Sequence, residues 1–164
     1  MIVSLIAAVS ADGKIAQSAE QSSLDWTSRE DTRFFISKTK EIGTVVMGRK
    51  TFGTIGKPLK DRRTIVMSSR TGIEGVEWTS EPPADLVARL EREGVTRMAL
   101  CGGAAIYDAF LSVGLVDELF LTVEPVLFGD GVPLFRNGAR INLKLLETTK
   151  LGDSSVLLHY LLLK

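Results

Sequence analysis

Two consecutive glycines, Gly102 and Gly103, separate an apolar run at 97–101 from a helix-forming stretch at Ala104–Leu111. A strand that ends in glycines at the start of a helix suits phosphate chemistry. The glycines let the backbone approach a ligand and adopt φ values that a Cβ forbids. The helix start, here Ala104, Ala105, Ile106 and Tyr107, offers free N–H groups and the positive end of its dipole. The full G-x-G-x-x-G spacing is missing, so a tight turn with no ligand fits the same residues. A second junction points the same way. Gly48-Arg49-Lys50-Thr51 follows a buried strand at 44–47 and opens a helix with two cations and a hydroxyl. Arg70, just past a third strand at 64–68, puts a further cation at a strand's carboxyl end, where parallel α/β sheets face their ligand crevice. Arg49 taken singly reads as a solvated surface residue. Three strand ends with glycine, hydroxyl and cation chemistry suit a polyphosphate such as a dinucleotide.

One carboxylate is out of place. On a helix from Ser28, residues Phe34, Phe35 and Lys38 lie three, four and seven positions after Asp31, so Asp31 shares a face with two aromatics that pack inward. Withdrawing a carboxylate from water costs free energy unless it is paired, and it raises the pKa into a range useful for proton chemistry. Asp31 reads either as a helix-edge acid that complements the dipole or as a group that grips a cationic or amidine-like part of a ligand.

The elements that position these residues follow from the patterning. Residues 2–9 form an apolar run suited to a strand buried on both faces. Ala11-Asp12-Gly13 opens a polar stretch to Ser23, the place for an active-site lid. Thr27-Ser28-Arg29-Glu30 reads as a capping box, with Thr27 as N-cap and Glu30 reaching back, for a helix to about Lys40. A short helix ends near Gly56; a strand at 76–78, a helix at 84–93 and a strand at 119–126 follow. Strands at 143–151 and Ser155–Leu163 flank a turn at Gly152-Asp153. Strands alternating with helices over the first 115 residues predict βαβ units and a mainly parallel sheet, closed by an antiparallel hairpin at its edge. Cys101, His159 and Trp78 read as structural residues.

With 164 residues the chain suits one domain spanning 1–164. Twenty basic and twenty acidic residues cancel, which argues against a nucleic-acid face. No apolar stretch is long enough to span a bilayer, and no basic leader precedes the first apolar run. One cysteine and one histidine predict no disulfide framework and no metal site, in keeping with a cytoplasmic protein.

At this point the residues resemble the dihydrofolate reductase superfamily, which includes the reductase domain of the riboflavin-pathway deaminase-reductases. The resemblance runs through Ser4–Ala8 with Asp12–Ala16, through Trp26 with Asp31 and Phe34-Phe35, and through Val46–Phe52 with Ile55–Leu59. It continues in Ser68-Ser69-Arg70, Gly102-Gly103 and Thr122. It implies a three-layer α/β fold around an eight-stranded, mostly parallel mixed sheet, and NADPH as cofactor. By the same resemblance Ile6, Ala7, Asp31, Phe35, Arg62 and Thr122 bind substrate. Ala8, Ile15, Gly48, Arg49, Lys50, Thr51, Ser68, Ser69, Arg70, and Gly102 to Tyr107 (Gly102, Gly103, Ala104, Ala105, Ile106, Tyr107) bind cofactor. Asp31 is the implied catalytic group, favouring the protonated imine of a pterin. Arg62 falls where folate reductases bind the glutamate tail.

The segment Pro125-Val126-Leu127-Phe128-Gly129-Asp130-Gly131-Val132-Pro133-Leu134-Phe135 resembles the riboflavin branch instead, and the first loop has Asp25-Trp26 where folate enzymes have proline-tryptophan. These departures bring in a ribosylaminopyrimidine 5′-phosphate, bound near Arg62 and Lys57, as the alternative substrate, while the set Asp31, Phe35, Arg62 and Thr122 keeps dihydrofolate as the expected one. A dinucleotide-binding sensor without turnover is the non-enzymatic reading. The final strand is apolar at positions of both parities, which leads to the expectation of a homodimer packed through the C-terminal strands.

Overall fold

The computed structural model describes residues 1–138 and 140–164. Its strands are β1 (Ile2–Ser10), β2 (Lys14–Ala16), β3 (Thr44–Gly48), β4 (Arg63–Met67), β5 (Glu77–Thr79), β6 (Arg97–Leu100), β7 (Glu118–Glu124), β8 (Val132–Pro133), β9 (Asn142–Leu151) and β10 (Ser155–Leu163). Its α-helices are α1 (Arg29–Ile42), α2 (Arg49–Ile55), α3 (Pro83–Arg92) and α4 (Ala104–Leu111). Eight strands form one sheet in the order β5-β4-β3-β6-β1-β7-β10-β9. All pairings from β5 to β7 are parallel, and β10 runs antiparallel to both β7 and β9. This is the expected mixed sheet with a C-terminal antiparallel hairpin.

The order places the site. After β1 the chain passes to β3 and builds outward through β4 and β5. It then returns through α3 to insert β6 between β3 and β1 before crossing to β7. The winding reverses at this point, so the carboxyl ends of β1, β3 and β6 border a crevice. Alternation along the strands feeds two cores, one on each face. Val3, Leu5, Val46 and Leu100 pack with Leu86 and Leu90 of α3 and Phe110 of α4. Ile6, Val45, Met47 and Phe120 face the other way, with Phe34 and Phe35 of α1 packed against them.

Three local features differ from the expectation. The N-cap of α1 is Ser28, whose hydroxyl accepts the Asp31 N–H at 3.1 Å, so the cap sits one residue later than Thr27. Glu30 does not reach back to close a capping box; its side chain lies against Gly152. Strands β2 and β8 form a separate two-stranded sheet that patterning did not predict. Segments of three and two residues are too short to carry a periodic signal, and only their mutual pairing makes them strands. Arg89 of α3 meets Glu77, Glu81 and Glu93, and Arg63 of β4 meets Glu77 and Glu93, which braces the sheet edge remote from the hairpin. No helix among the described residues is long and apolar enough to cross a membrane.

Candidate active site

The two glycine junctions touch. The Gly48 N–H donates to the Gly102 carbonyl at 2.7 Å, joining the end of β3 to the turn after β6. Both glycines sit where a Cβ would be crowded, and Gly102 also has a backbone conformation that favours glycine. A Cβ on Gly48 would stand 3.0 Å from Ile106 Cγ1, and Gly102 has φ of +101°, with the Tyr107 hydroxyl 3.2 Å from where its Cβ would be. The Thr51 hydroxyl lies 3.3 Å from the corresponding position on Gly103. Tyr107 donates to the Ile6 carbonyl at 2.7 Å, which brings β1 into the same group. The structure thus assembles Ile6, Gly48, Thr51, Gly102, Gly103, Ile106 and Tyr107. Ala7 is buried, and Ala8, Ile15 and Ala104 are half-buried.

Neither Gly48 nor Gly103, the N-caps of α2 and α4, caps its helix with a side chain. Arg49, Lys50, Lys57 and Arg70 are exposed and, among the described residues, enter no ion pair. Ser68 accepts the Arg70 N–H at 3.0 Å, while Ser69 and Ala105 are exposed with no contact tying them to the glycine group. A backbone cradle that a Cβ would fill, open helix starts and uncommitted cations fit a dinucleotide phosphate chain.

The acidic group stands on α1. Asp31, Phe35 and Thr39 stand four residues apart on α1 and form one stripe, about 12 Å long at 1.5 Å per residue. Burial pushes the Asp31 carboxyl pKa up; the Thr122 hydroxyl of β7 opposes the shift and the nearby negative charge of Glu124 adds to it. Phe34 and Phe35 are half-buried, not fully inward, so they line an open face. At the far end of the stripe Arg62 donates to the Thr39 hydroxyl at 2.8 Å and to the Lys60 carbonyl at 2.9 Å. Those two bonds leave other guanidinium N–H groups for an anion. Burial pushes the Tyr107 phenol pKa well above its ordinary value, and the charges of Cys101 and Asp31 add to the shift.

Two features lie outside the residues that the sequence assigned to the site. Glu124 at the end of β7 is 2% exposed and accepts the Ser28 N–H at 2.9 Å, the Ser28 hydroxyl at 2.8 Å and the Ser155 hydroxyl at 2.6 Å. The Trp26 indole N–H is buried without a partner, and its ring packs edge-on against Phe128 at 4.9 Å. Both border a cleft of about 410 Å³ with Glu30 and Gly152. The first loop is fastened nearby: Asp12 accepts the Phe128 and Gly129 N–H groups at 3.1 and 2.7 Å and the Ser10 hydroxyl at 2.6 Å. These bonds, led by the one from Ser10, hold its pKa down at about 2. Cys101 is buried and its thiol pKa is raised by burial to about 12, as befits a packing residue. His159 stacks on Phe120 at 4.1 Å and sits 2.9 Å from Glu118.

The chain belongs to the dihydrofolate reductase family, whose family model matches residues 2–131. It is 30% identical to the protein YwjB of Bacillus subtilis (strain 168) over 95% of both chains. It is 34% identical to dihydrofolate reductase type 3 of Salmonella typhimurium, covering 79% of this chain and 76% of that one. The crystal structure of a protein named for riboflavin biosynthesis, from Shewanella sp. PV-4, superposes with a TM-score of 0.86 at 22% identity and covers all of both chains. Family and fold together make the chain a dihydrofolate-reductase-like reductase.

Proposed function

We propose that this chain is an NADPH-dependent reductase of a ribosylaminopyrimidine 5′-phosphate, with dihydrofolate as the second reading. The observation that carries a reductase site is Asp31, a half-buried carboxylate beside Thr122 on a stripe that ends at Arg62. A carboxylate there accepts two N–H groups from the amino-bearing edge of a pyrimidine or pterin ring. Its raised pKa lets it hold a proton at pH values where an exposed aspartate has lost it. Arg62, with exposed Lys57 nearby in sequence, takes the terminal anion, a phosphate in the first reading and the folate carboxylate in the second. Arg49, Lys50 and Arg70 receive the cofactor's phosphates, and NADPH when bound supplies the hydride. The residues of the crevice orient the substrate ring and exclude water, which is the main catalytic task in a hydride transfer.

The pyrimidine reading, second in the sequence, comes first here because of extent. The likeness to the riboflavin biosynthesis protein includes the C-terminal hairpin, whereas the family-model match ends at residue 131. The segment 125–135 leans the same way. The set Asp31, Phe35, Arg62 and Thr122 is what keeps dihydrofolate in view. The test is NADPH oxidation measured side by side with each substrate. Turnover of the pyrimidine phosphate well above that of dihydrofolate supports the proposal, and the reverse order replaces it with the folate reading. NADPH binding with oxidation by neither would leave the sensor reading.

A further inference from the structure

We propose that Glu124 is the positioning residue for Asp31, fixing through Ser28 the first turn of α1, from which the Asp31 side chain leaves. The inference rests on the reading of Asp31 as the substrate-gripping group. Glu124 is a fully buried carboxylate in a chain with little reason to bury one, since apolar side chains at the end of a central strand would pack more cheaply. Its three donors tie together three elements far apart in sequence. Ser28 caps α1, Ser155 begins β10, and Glu124 ends β7. The Ser28 hydroxyl that donates to Glu124 also accepts the Asp31 N–H at 3.1 Å. Glu124, Ser28 and the Asp31 backbone therefore form one hydrogen-bonded run, which sets where the Asp31 side chain leaves the helix.

The charged and polar groups around Asp31 are few. Thr122 and Glu124 face it from β7, and the Tyr107 phenol from α4 senses its charge. On α1 itself, Glu30 turns toward Gly152. Among the described residues Glu124 enters no ion pair. A purely structural carboxylate would have no effect on Asp31 beyond holding the helix. Glu124 also holds a like charge near it, and that favours the protonated form of Asp31.

The test is a carbon-13 NMR titration of the Asp31 carboxyl in wild type and in Glu124→Gln, with Asp31→Asn used to assign the signal. Gln keeps the shape and an oxygen for the Ser28 N–H while removing the charge. A lower midpoint in Glu124→Gln is expected, and an unmoved midpoint would overturn the charge role. Ser28→Ala keeps the charge and cuts the link. Turnover of whichever substrate wild type reduces is expected to fall about tenfold in this variant, with the midpoint still raised. Unchanged turnover in Ser28→Ala would overturn the positioning role, and this arm decides the matter if Glu124→Gln does not fold. Failure of the underlying reading shows separately, as turnover that survives Asp31→Asn.

Discussion

Replacing Tyr107 by Phe removes one oxygen atom and leaves the ring in place. That oxygen donates to the Ile6 carbonyl at 2.7 Å, and both residues are buried, at 4% and 5% exposure. The β1–β6 ladder ends at Leu5 opposite Leu100 while β1 goes on pairing with β7, and the hydroxyl takes up the Ile6 carbonyl just past the β1–β6 pairing. Deleting a buried donor leaves its acceptor without a partner, at a cost of about 1–3 kcal/mol. For a chain of this length each kcal/mol lowers Tm by about 2–4 °C, so Tyr107→Phe is expected to melt about 2–12 °C below wild type. The same hydroxyl lies 3.2 Å from the position of a Gly102 Cβ, so its loss also loosens the glycine turn. NADPH affinity, followed by fluorescence titration, is expected to weaken with it. Circular dichroism melts of the two proteins give the stability term. A Tm within 1 °C of wild type, with unchanged NADPH affinity, would refute the reasoning that this bond closes the turn.

Asp12→Ala is expected to speed hydrogen exchange at the Phe128 and Gly129 amides while leaving the amides of β1 and β3 unchanged. In wild type the Asp12 pKa is depressed to about 2 from 3.8, so its clasp is complete above about pH 4 and is lost as pH falls through about 2. Equal exchange in variant and wild type at pH 5 would count against the clasp. The exposed Leu161 and Leu163, which share one face of the C-terminal strand, are expected to pack against a second copy of the chain. Light scattering at micromolar concentration should then read twice the 17.9 kDa chain mass, and a monomeric mass would reject that interface.

Much of the fold is legible in the sequence because apolar runs bounded by glycine or proline declare the strands and helices locally. α4 falls at Ala104–Leu111 as expected, and α2 ends at Gly56 with φ of +74°, a conformation that glycine tolerates. The cap of α1 was missed by one residue for a reason outside the segment. Thr27 and Ser28 are both good caps by type, and the choice between them is made by Glu124, 96 residues away, which holds the Ser28 N–H and hydroxyl. Glu124 itself looks like the polar end of a strand in Val-Glu-Pro, and only the folding together of Ser28 and Ser155 makes its burial possible. Asp31 was visible because helical spacing sets it beside Phe34 and Phe35. The place of Arg62 at the end of that stripe was not, because it depends on the meeting of α1 with the start of β4.

The central claim is that the Asp31 carboxyl serves substrate reduction and not cofactor binding. Asp31→Asn keeps the shape and removes the acid, so it separates the two. The measurement is NADPH affinity by fluorescence alongside NADPH oxidation with the substrate that wild type reduces. The expected result is an NADPH Kd within about twofold of wild type and a kcat/KM lower by about 100-fold or more. Turnover at the wild-type level, or a parallel loss of NADPH binding and turnover, would contradict the account.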